Sequence, residues 1–135
     1  MTKPISSNAH GLLDYPGGIA LIAAPWIFGF SDVGGAAVTV PIVIGAVILA
    51  QSLFTDYRLS LARLVPMPAH LGLDALAGAF LALTPLIFDT TDDGTGAWLP
   101  HVIVGIGLII GALLTRPVSG VRWDVRHTPG HHAHV

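Results

Sequence analysis

The sequence predicts an all-α, polytopic membrane protein with four transmembrane helices, built as two helical hairpin repeats that run in the same direction. Composition is the first observation behind this prediction. The 135 residues are 53% hydrophobic and 10% charged, whereas about a quarter of the residues in a soluble globular domain are charged. The chain has too few charges to cover a soluble surface, so a lipid bilayer is the expected environment.

An internal duplication is the second observation. Residues 9–56 align without a gap to residues 69–116, with 15 identical residues in 48 positions. Each copy is an apolar run, a short polar loop and a second apolar run, which is the pattern of a repeated helical hairpin. The chain therefore divides into an N-terminal segment (1–8), a first hairpin (9–56), a linker (57–68), a second hairpin (69–116) and a tail (117–135).

Four apolar runs have the length of a membrane-spanning helix. About 20 residues, at a rise of about 1.5 Å each, cross a hydrocarbon core of about 30 Å. The predicted spans are residues 11–30, 36–54, 69–88 and 97–115. Pro25 and Pro85 occupy equivalent positions in the first and third spans. Because each removes a backbone donor, a kink or a loosened last turn is predicted at both.

The positions of the charges are the third observation. All six cations lie in the N-terminal segment, the linker or the tail: Lys3, Arg58, Arg63, Arg116, Arg122 and Arg126. The two loops inside the hairpins hold only acids: Asp32, Asp89, Asp92 and Asp93. By the positive-inside rule, both termini and the linker are predicted to be cytoplasmic. The hairpins are then related by a pseudo-two-fold axis along the membrane normal, unlike the inverted repeats of many transporters.

The segments outside the spans and the contacts between spans carry further predictions. The linker, with its arginines, is predicted to form a short amphipathic helix on the membrane surface that ends before Pro66 and Pro68. The tail, with its cluster of histidines, is predicted to be disordered. Small residues are predicted where spans touch. The candidate pairs are Ala20 with Ala24, Ala75 with Ala79, Gly78 with Ala82, and Gly107 with Gly111.

The end of the first span resembles a known family. The run Leu-Ile-Ala-Ala-Pro-Trp-Ile-Phe-Gly-Phe at residues 21–30, followed by a short loop and an apolar run containing Gly45, is similar to the SPW-repeat membrane proteins. Their unit is a two-helix hairpin with Ser-Pro-Trp near the end of its first helix. The two copies here read Ala-Pro-Trp at residues 24–26 and Thr-Pro-Leu at residues 84–86. The resemblance implies a bacterial multi-pass inner-membrane protein, and no chemistry is carried over from the family.

The candidate site is a repeated His-x-x-x-Asp pair. His10 and Asp14 in the first copy correspond to His70 and Asp74 in the second. A spacing of four puts each pair on one helix face, and the parallel repeat puts all four side chains at the same depth. Two histidines and two carboxylates suit zinc or a non-haem metal, and two opposed histidines suit haem iron.

Two other interpretations of these residues remain open. The carboxylates are expected to be helix-end residues, stabilised by the macrodipole and bonded to backbone donors, beside histidines solvated at the membrane edge. This interpretation is favoured, because the sequence lacks a tight ligand motif such as H-E-x-x-H. The remaining alternative is a proton relay, for which ionisable residues inside a membrane are typical.

The other polar residues are given structural interpretations. His101 is expected to be solvated at the opposite interface, roughly 30 Å from His10. Gln51 is expected to make a hydrogen bond between helices. The tail histidines are assigned no function: His127, His131, His132 and His134.

Three classes of function follow from these observations. The favoured one is a small non-enzymatic membrane protein with a structural, partner or subunit role, without a cofactor, in contact with lipid and with other membrane proteins or further copies of itself. The second is a metal- or haem-binding membrane protein that uses the His-x-x-x-Asp pairs. The third is an oligomeric proton or ion transporter, whose membrane-embedded acids would be Asp14 and Asp74. The sequence contains no basic, aromatic-interleaved patch, so no nucleic-acid partner is expected.

Overall fold

Four long helices form the protein. The computed structural model describes residues 2–118. The helices are α1 (Ser7–Ile27), α2 (Gly35–Phe54), α3 (Met67–Ile87) and α4 (Thr95–Leu114). One-turn 3₁₀ helices, Ser31–Val33 and Thr91–Asp93, connect the helices of each hairpin. Within the described residues no strand is present, so the predicted all-α fold is confirmed. The predicted disorder of the tail concerns residues from 119 on, which lie outside the described part of the chain.

Three of the helices, α2, α3 and α4, are long and apolar enough to cross a membrane by length and composition. Helix α1 has 21 residues, the same number as its counterpart α3. Its first turns contain Asn8, His10 and Asp14, which lower its mean hydropathy. The counterpart of α1 in the duplication, α3, is long and apolar enough to cross a membrane.

Glycines set the distance between the two helices of each hairpin. A side chain at Gly45 would lie 2.6 Å from the carbonyl oxygen of Gly18, and one at Gly105 would lie 2.5 Å from that of Gly78. Both distances are well below van der Waals contact, so only glycine allows the helix backbones to approach this closely. The two glycine pairs occupy equivalent positions in the repeats, and each hairpin closes in the same way.

The predicted small-residue contacts are partly confirmed. Ala82 and Gly78 face Gly105 across the α3–α4 crossing, as predicted. By contrast, a side-chain carbon added at Gly107 would have no atom within 4 Å, and Ala20 is exposed. The G-x-x-x-G spacing of residues 107–111 therefore does not mark a helix crossing within the chain.

Matching closures end α1 and α3 just after Pro25 and Pro85. Each helix continues two residues past its proline. The amide of Phe30 then donates to the carbonyl of Pro25, and the amide of Thr90 donates to that of Pro85. This bond over five residues is typical of a Schellman closure. The prolines thus mark equivalent last turns, and the left-handed position that follows is Gly29 in one copy and Asp89, with φ of 54°, in the other.

The ends of the two hairpins are tied together at one end of the bundle. Thr55 forms an isolated bridge with Val65, and Thr115 forms the equivalent bridge with Ile5. Each bridging residue at 5 or 65 lies five residues before a histidine of the candidate site. Residues 55–66 contain no helix, so the amphipathic helix predicted for the linker is wrong. The backbone of the linker instead bonds back to the end of α2, through the carbonyls of Leu53 and Phe54.

The centre of the bundle is apolar. Leu21, Val40, Ile48 and Leu81 form a buried cluster to which all of the first three helices contribute. A second buried cluster, at the end of the bundle where the bridges lie, contains Tyr57, Met67, Leu71 and Ala112. The candidate site lies beside this second cluster, with the apolar centre between it and the loops of the hairpins.

Candidate metal centre between the two repeats

The four side chains of the His-x-x-x-Asp pairs converge at one point inside the bundle. His10 and Asp14 are 6% and 7% exposed, and His70 and Asp74 are 0% and 1% exposed. The two imidazole rings are edge to face, with centroids 5.4 Å apart. One ligand atom from each of the four side chains lies within 4.8 Å of the others. This geometry agrees with the sequence prediction that the four side chains lie at the same depth.

Each histidine contacts the carboxylates of both repeats through its Nε2 atom. His10 Nε2 lies 3.3 Å from Asp14 Oδ1 and 2.8 Å from Asp74 Oδ2. His70 Nε2 lies 3.1 Å from an oxygen of each carboxylate, without a well-directed hydrogen bond to either. The shared carboxylates thus join the two hairpins across the pseudo-two-fold axis.

A threonine from the opposite repeat holds the other nitrogen of each ring. His10 Nδ1 lies 2.8 Å from Thr115 Oγ1, and His70 Nδ1 lies 2.7 Å from Thr55 Oγ1. Each threonine hydroxyl donates its own proton to a backbone carbonyl four residues earlier, at 2.7 Å. The hydroxyl oxygen must therefore accept a proton from Nδ1–H. In a neutral ring this leaves the Nε2 lone pair facing the centre of the cluster.

Side chains at the end of the first repeat bind the carboxylates. The Gln51 amide donates to Asp74 Oδ1, and the Ser52 hydroxyl donates to Asp14 Oδ2 at 3.3 Å. The Tyr57 hydroxyl also points to Asp14 Oδ2, at 3.5 Å. Burial raises the pKa of the Tyr57 phenol above its ordinary value, so this group stays a proton donor. The predicted interhelical hydrogen bond of Gln51 is confirmed, and its partner belongs to the site.

The favoured sequence interpretation of the four residues is wrong in two respects. The hydrogen-bond partners of both carboxylates are side chains rather than the predicted backbone donors. The histidines are buried rather than solvated. The duplication explains both differences, because each pair is covered by the partner repeat, which the local sequence does not show.

Residues 8–115 match the SPW repeat domain. The chain belongs to the SPW repeat family. The match covers most of both hairpins, including the copy that lacks the Pro-Trp dipeptide. No curated protein and no solved structure shows detectable similarity to the chain. Family membership supports an apolar, membrane-type helical protein, and the chemistry of the site depends on its own geometry.

In this SPW protein, three of the residues that bind the carboxylates have no equivalent in the second repeat. Gln51, Ser52 and Tyr57 correspond to Gly111, Ala112 and Pro117 in the second repeat. These three residues, which donate hydrogen bonds to the carboxylates, all lie at or just after the end of α2, and alignment of the repeats gives no signal for them. The two threonines are different, because Thr55 and Thr115 are identical in the duplication. That identity is the signal by which sequence analysis could have placed them in the site.

His101 lies apart from the cluster, near the other end of the bundle. It is 2% exposed, so the prediction that it is a solvated interface residue is wrong. Its ring packs 5.7 Å from that of Phe30, measured between centroids, and lines a small cavity with Pro41 and Pro100. Pro41 is the repeat counterpart of His101, so the two equivalent positions line the same cavity.

Proposed function

We propose that this SPW protein is a small, non-enzymatic integral membrane protein whose two hairpins are joined by one buried transition-metal ion of the zinc class. In this proposal α1 also crosses the membrane, which brings the number of spans to four. The bilayer is a bacterial inner membrane, and both termini lie on the cytoplasmic side. The ligands are His10 Nε2, His70 Nε2 and one oxygen each of Asp14 and Asp74. The ion has a structural role, because its ligands come from both hairpins and hold them together.

The convergence of the four side chains carries this proposal. Tetrahedral zinc with ligands at about 2.0–2.1 Å has ligand atoms roughly 3.3 Å apart. Asp74 Oδ2 lies 2.8 Å from His10 Nε2 and 3.1 Å from His70 Nε2, whereas the two histidines contact different oxygens of Asp14, at 3.3 and 3.1 Å. One ligand atom from each of the four side chains lies within 4.8 Å of the others. Small movements of the side chains would thus bring the ligand atoms onto the corners of a tetrahedron.

The hydrogen bonds around the ligands support the same class of ion. Metal-binding histidines generally donate their second N–H to an oxygen, which fixes the ring, and Thr55 and Thr115 supply that oxygen here. Gln51 occupies one oxygen of Asp74, which leaves the other for the ion. Two imidazoles favour zinc or iron over magnesium and calcium, which prefer oxygen ligands.

Haem fits this geometry less well. The carboxylates of Asp14 and Asp74 lie between the two imidazoles, in the space that a porphyrin would need. The apolar cluster at the centre of the bundle supports a structural role over transport, because it lies between the site and the hairpin loops. Four protein ligands also complete the coordination of zinc, which is typical of structural rather than catalytic sites.

A metal-free cluster is the second candidate, and a specific observation favours it. The distance of 2.8 Å between His10 Nε2 and Asp74 Oδ2 is also that of a charge-assisted hydrogen bond. Because the threonines already take the Nδ1 protons, a ring that also donates from Nε2 must be an imidazolium ion, as His10 is in this candidate and as His70 would be if its ring turned to donate to a carboxylate. Two such ions beside two carboxylates form a neutral cluster, which would join the hairpins without an ion.

Metal content separates the two candidates. The full chain is purified in detergent without chelators, with alanine in place of the four tail histidines at positions 127, 131, 132 and 134. We expect about one equivalent of zinc or iron per chain, from the single four-ligand site. The metal should be lost in H10A and H70A and kept in D92N, which changes an exposed carboxylate at the other end. Folded protein that contains no metal after growth and dialysis with zinc would refute the metal proposal.

The natural partners are proposed from the outer surface. Apolar side chains are exposed along the helices, among them Leu76, Leu83 and Ile103 at 70%, 49% and 61%. Such a surface is suited to lipid chains, to other membrane proteins or to a second copy of the chain. Crosslinking in native membranes, followed by mass determination, would identify a protein partner or a homo-oligomer.

A further inference from the structure

The end of the bundle that holds the His/Asp cluster also holds an excess of positive charge. In residues 2–8, 55–66 and 115–118 there are four cations, Lys3, Arg58, Arg63 and Arg116, and one carboxylate, Asp56. All four cations are exposed. Arg63 lies 3.9 Å from Asp56, which is at the limit of an ion pair and leaves its guanidinium half exposed. The hairpin loops at the opposite end contain only acids.

The duplication places two of these cations symmetrically. Lys3 and Arg63 are separated by the repeat offset of 60 residues. Each lies two residues before a bridging residue, Ile5 or Val65, and four residues before the first residue of α1 or α3. A cation therefore precedes both α1 and α3, at equivalent positions of the two repeats. Arg116 is held beside Lys3 by a 2.7 Å hydrogen bond to its carbonyl.

Exposed leucines accompany the cations in the linker. Leu59, Leu61 and Leu64 are 48%, 81% and 75% exposed. They lie next to or between Arg58 and Arg63, in a segment whose backbone is hydrogen-bonded to the end of α2. Also, Tyr15 donates a 2.8 Å hydrogen bond to the Leu59 carbonyl. The leucines are thus held outward by an ordered loop.

We propose that this linker surface binds the anionic headgroups of phospholipids. The leucines enter the edge of the hydrocarbon layer, and Arg58 and Arg63 contact the phosphates of the same leaflet. Lys3 and Arg116 provide the equivalent contact on the other side of the bundle. Arginine recognises phosphate through paired donors, and basic residues beside inserted apolar ones are typical of segments that bind anionic lipid.

A lipid explains the surface better than a soluble partner does. Lys3 and Arg63 precede helices α1 and α3, and Arg58 and Arg116 follow helices α2 and α4, so all four lie at helix ends, where the headgroups of a surrounding bilayer lie. Leucines as exposed as these, if not covered by lipid, would face water beside charged groups. The proposal does not depend on a metal in the His/Asp cluster, and it concerns different residues.

Lipid retention in native mass spectrometry tests the proposal directly. The full-length protein in detergent is mixed with equimolar phosphatidylglycerol and phosphatidylcholine, and the retained lipids are counted. We expect preferential retention of phosphatidylglycerol, reduced roughly fivefold for each arginine removed in R58Q and R58Q/R63Q. The matched control D89N/D92N changes two charges at the opposite end and should leave the preference unchanged. Equal retention by the wild type and R58Q/R63Q would overturn the proposal.

A second measurement places the linker in the bilayer. Because the chain has no cysteine, L61C provides a unique site for a nitroxide spin label in vesicles with one third phosphatidylglycerol. Collisions with oxygen should exceed those with a water-soluble nickel chelate. Water-like exposure of the label would contradict insertion, and displacement of retained lipid by inorganic phosphate alone would indicate a free-phosphate site instead.

Discussion

At the scale of single residues, the threonines determine what the histidines can do. Thr55 and Thr115 each donate to a carbonyl in their own helix and accept from a histidine of the other repeat. The arrangement fixes the orientation of both rings through atoms that do not touch the carboxylates. A buried imidazole with one nitrogen fixed in this way presents a single atom, Nε2, to whatever occupies the centre.

Replacing these threonines with valine tests their role. T55V or T115V keeps the side-chain volume but removes the acceptor for Nδ1–H, so one ring loses its fixed orientation. We expect metal affinity, measured by competition with a chelating dye, to fall about 10- to 100-fold. T84V is the matched control, because Thr84 is buried and bonds to the Phe80 carbonyl in the same way but lies away from the cluster. Equal loss of affinity in T84V would show that the threonines act only through helix stability.

At the scale of the helices, two glycine crossings position the site. The pairs Gly18 with Gly45 and Gly78 with Gly105 let the hairpins close tightly. His10 and His70 lie about two turns before the first glycine of each pair on the same helix. The depth of each histidine relative to its partner helix is therefore set by the crossing.

Alanine at these crossings should separate the helices. In G45A or G105A the new methyl group would lie within 2.6 Å of a backbone carbonyl on the facing helix, which the backbone can relieve only by moving. We expect a loss of about 1–3 kcal/mol in the free energy of unfolding, measured by denaturant titration in detergent. G107A is the control, because its position is open, and it should be neutral or slightly stabilising. A neutral effect of G45A would mean that the crossing is looser than these distances indicate.

The ends of α1 and α3 provide a second comparison between elements. Asp89 has a φ of 54°, whereas its counterpart Gly29 has 71°. Left-handed backbone is costly for residues other than glycine, so D89G should stabilise the second hairpin by about 0.5–1 kcal/mol. G29A should destabilise the first by a similar amount. Thermal unfolding in detergent measures both, and a lower melting temperature in D89G would contradict this explanation.

At the scale of the whole molecule, the sequence predicts the parts that the duplication repeats. Four helices, the two hairpins and the joint depth of His10 and His70 follow from residues that recur at a fixed offset. Gln51, Ser52 and Tyr57 could not be placed, because they occur in one copy only and reach the site through tertiary packing. The burial of His101 depends on its fit against Phe30 and Pro41, which come from the other hairpin. Local sequence does not specify such contacts.

The symmetry of the fold extends to the chain ends. The bridge between Thr115 and Ile5 is equivalent to that between Thr55 and Val65, although the first joins the end of α4 to the segment before α1 and the second joins the end of α2 to the segment before α3. Nine residues separate Thr55 from Val65 in the chain. The molecule is therefore closed into a ring of two hairpins, with a covalent connection on one side and a hydrogen-bonded one on the other.

A circular permutant tests whether the two connections are interchangeable. Joining residue 118 to residue 2 through three added glycines gives nine residues between Thr115 and Ile5, and the new termini lie between Leu61 and Ala62. Since this opening is in an exposed loop and all four helices are kept whole, we expect the permutant to insert, to fold and to keep the site. Its metal content and its melting temperature, compared with those of a linear chain ending at residue 118, are the measurements. If the permutant folds but binds no metal, the Thr55 connection is specifically required for the site. If the permutant does not fold at all, the covalent connection between Thr55 and Val65 is needed for folding. The bridge between Ile5 and Thr115 is then a result of the hairpin arrangement and does not help to establish it.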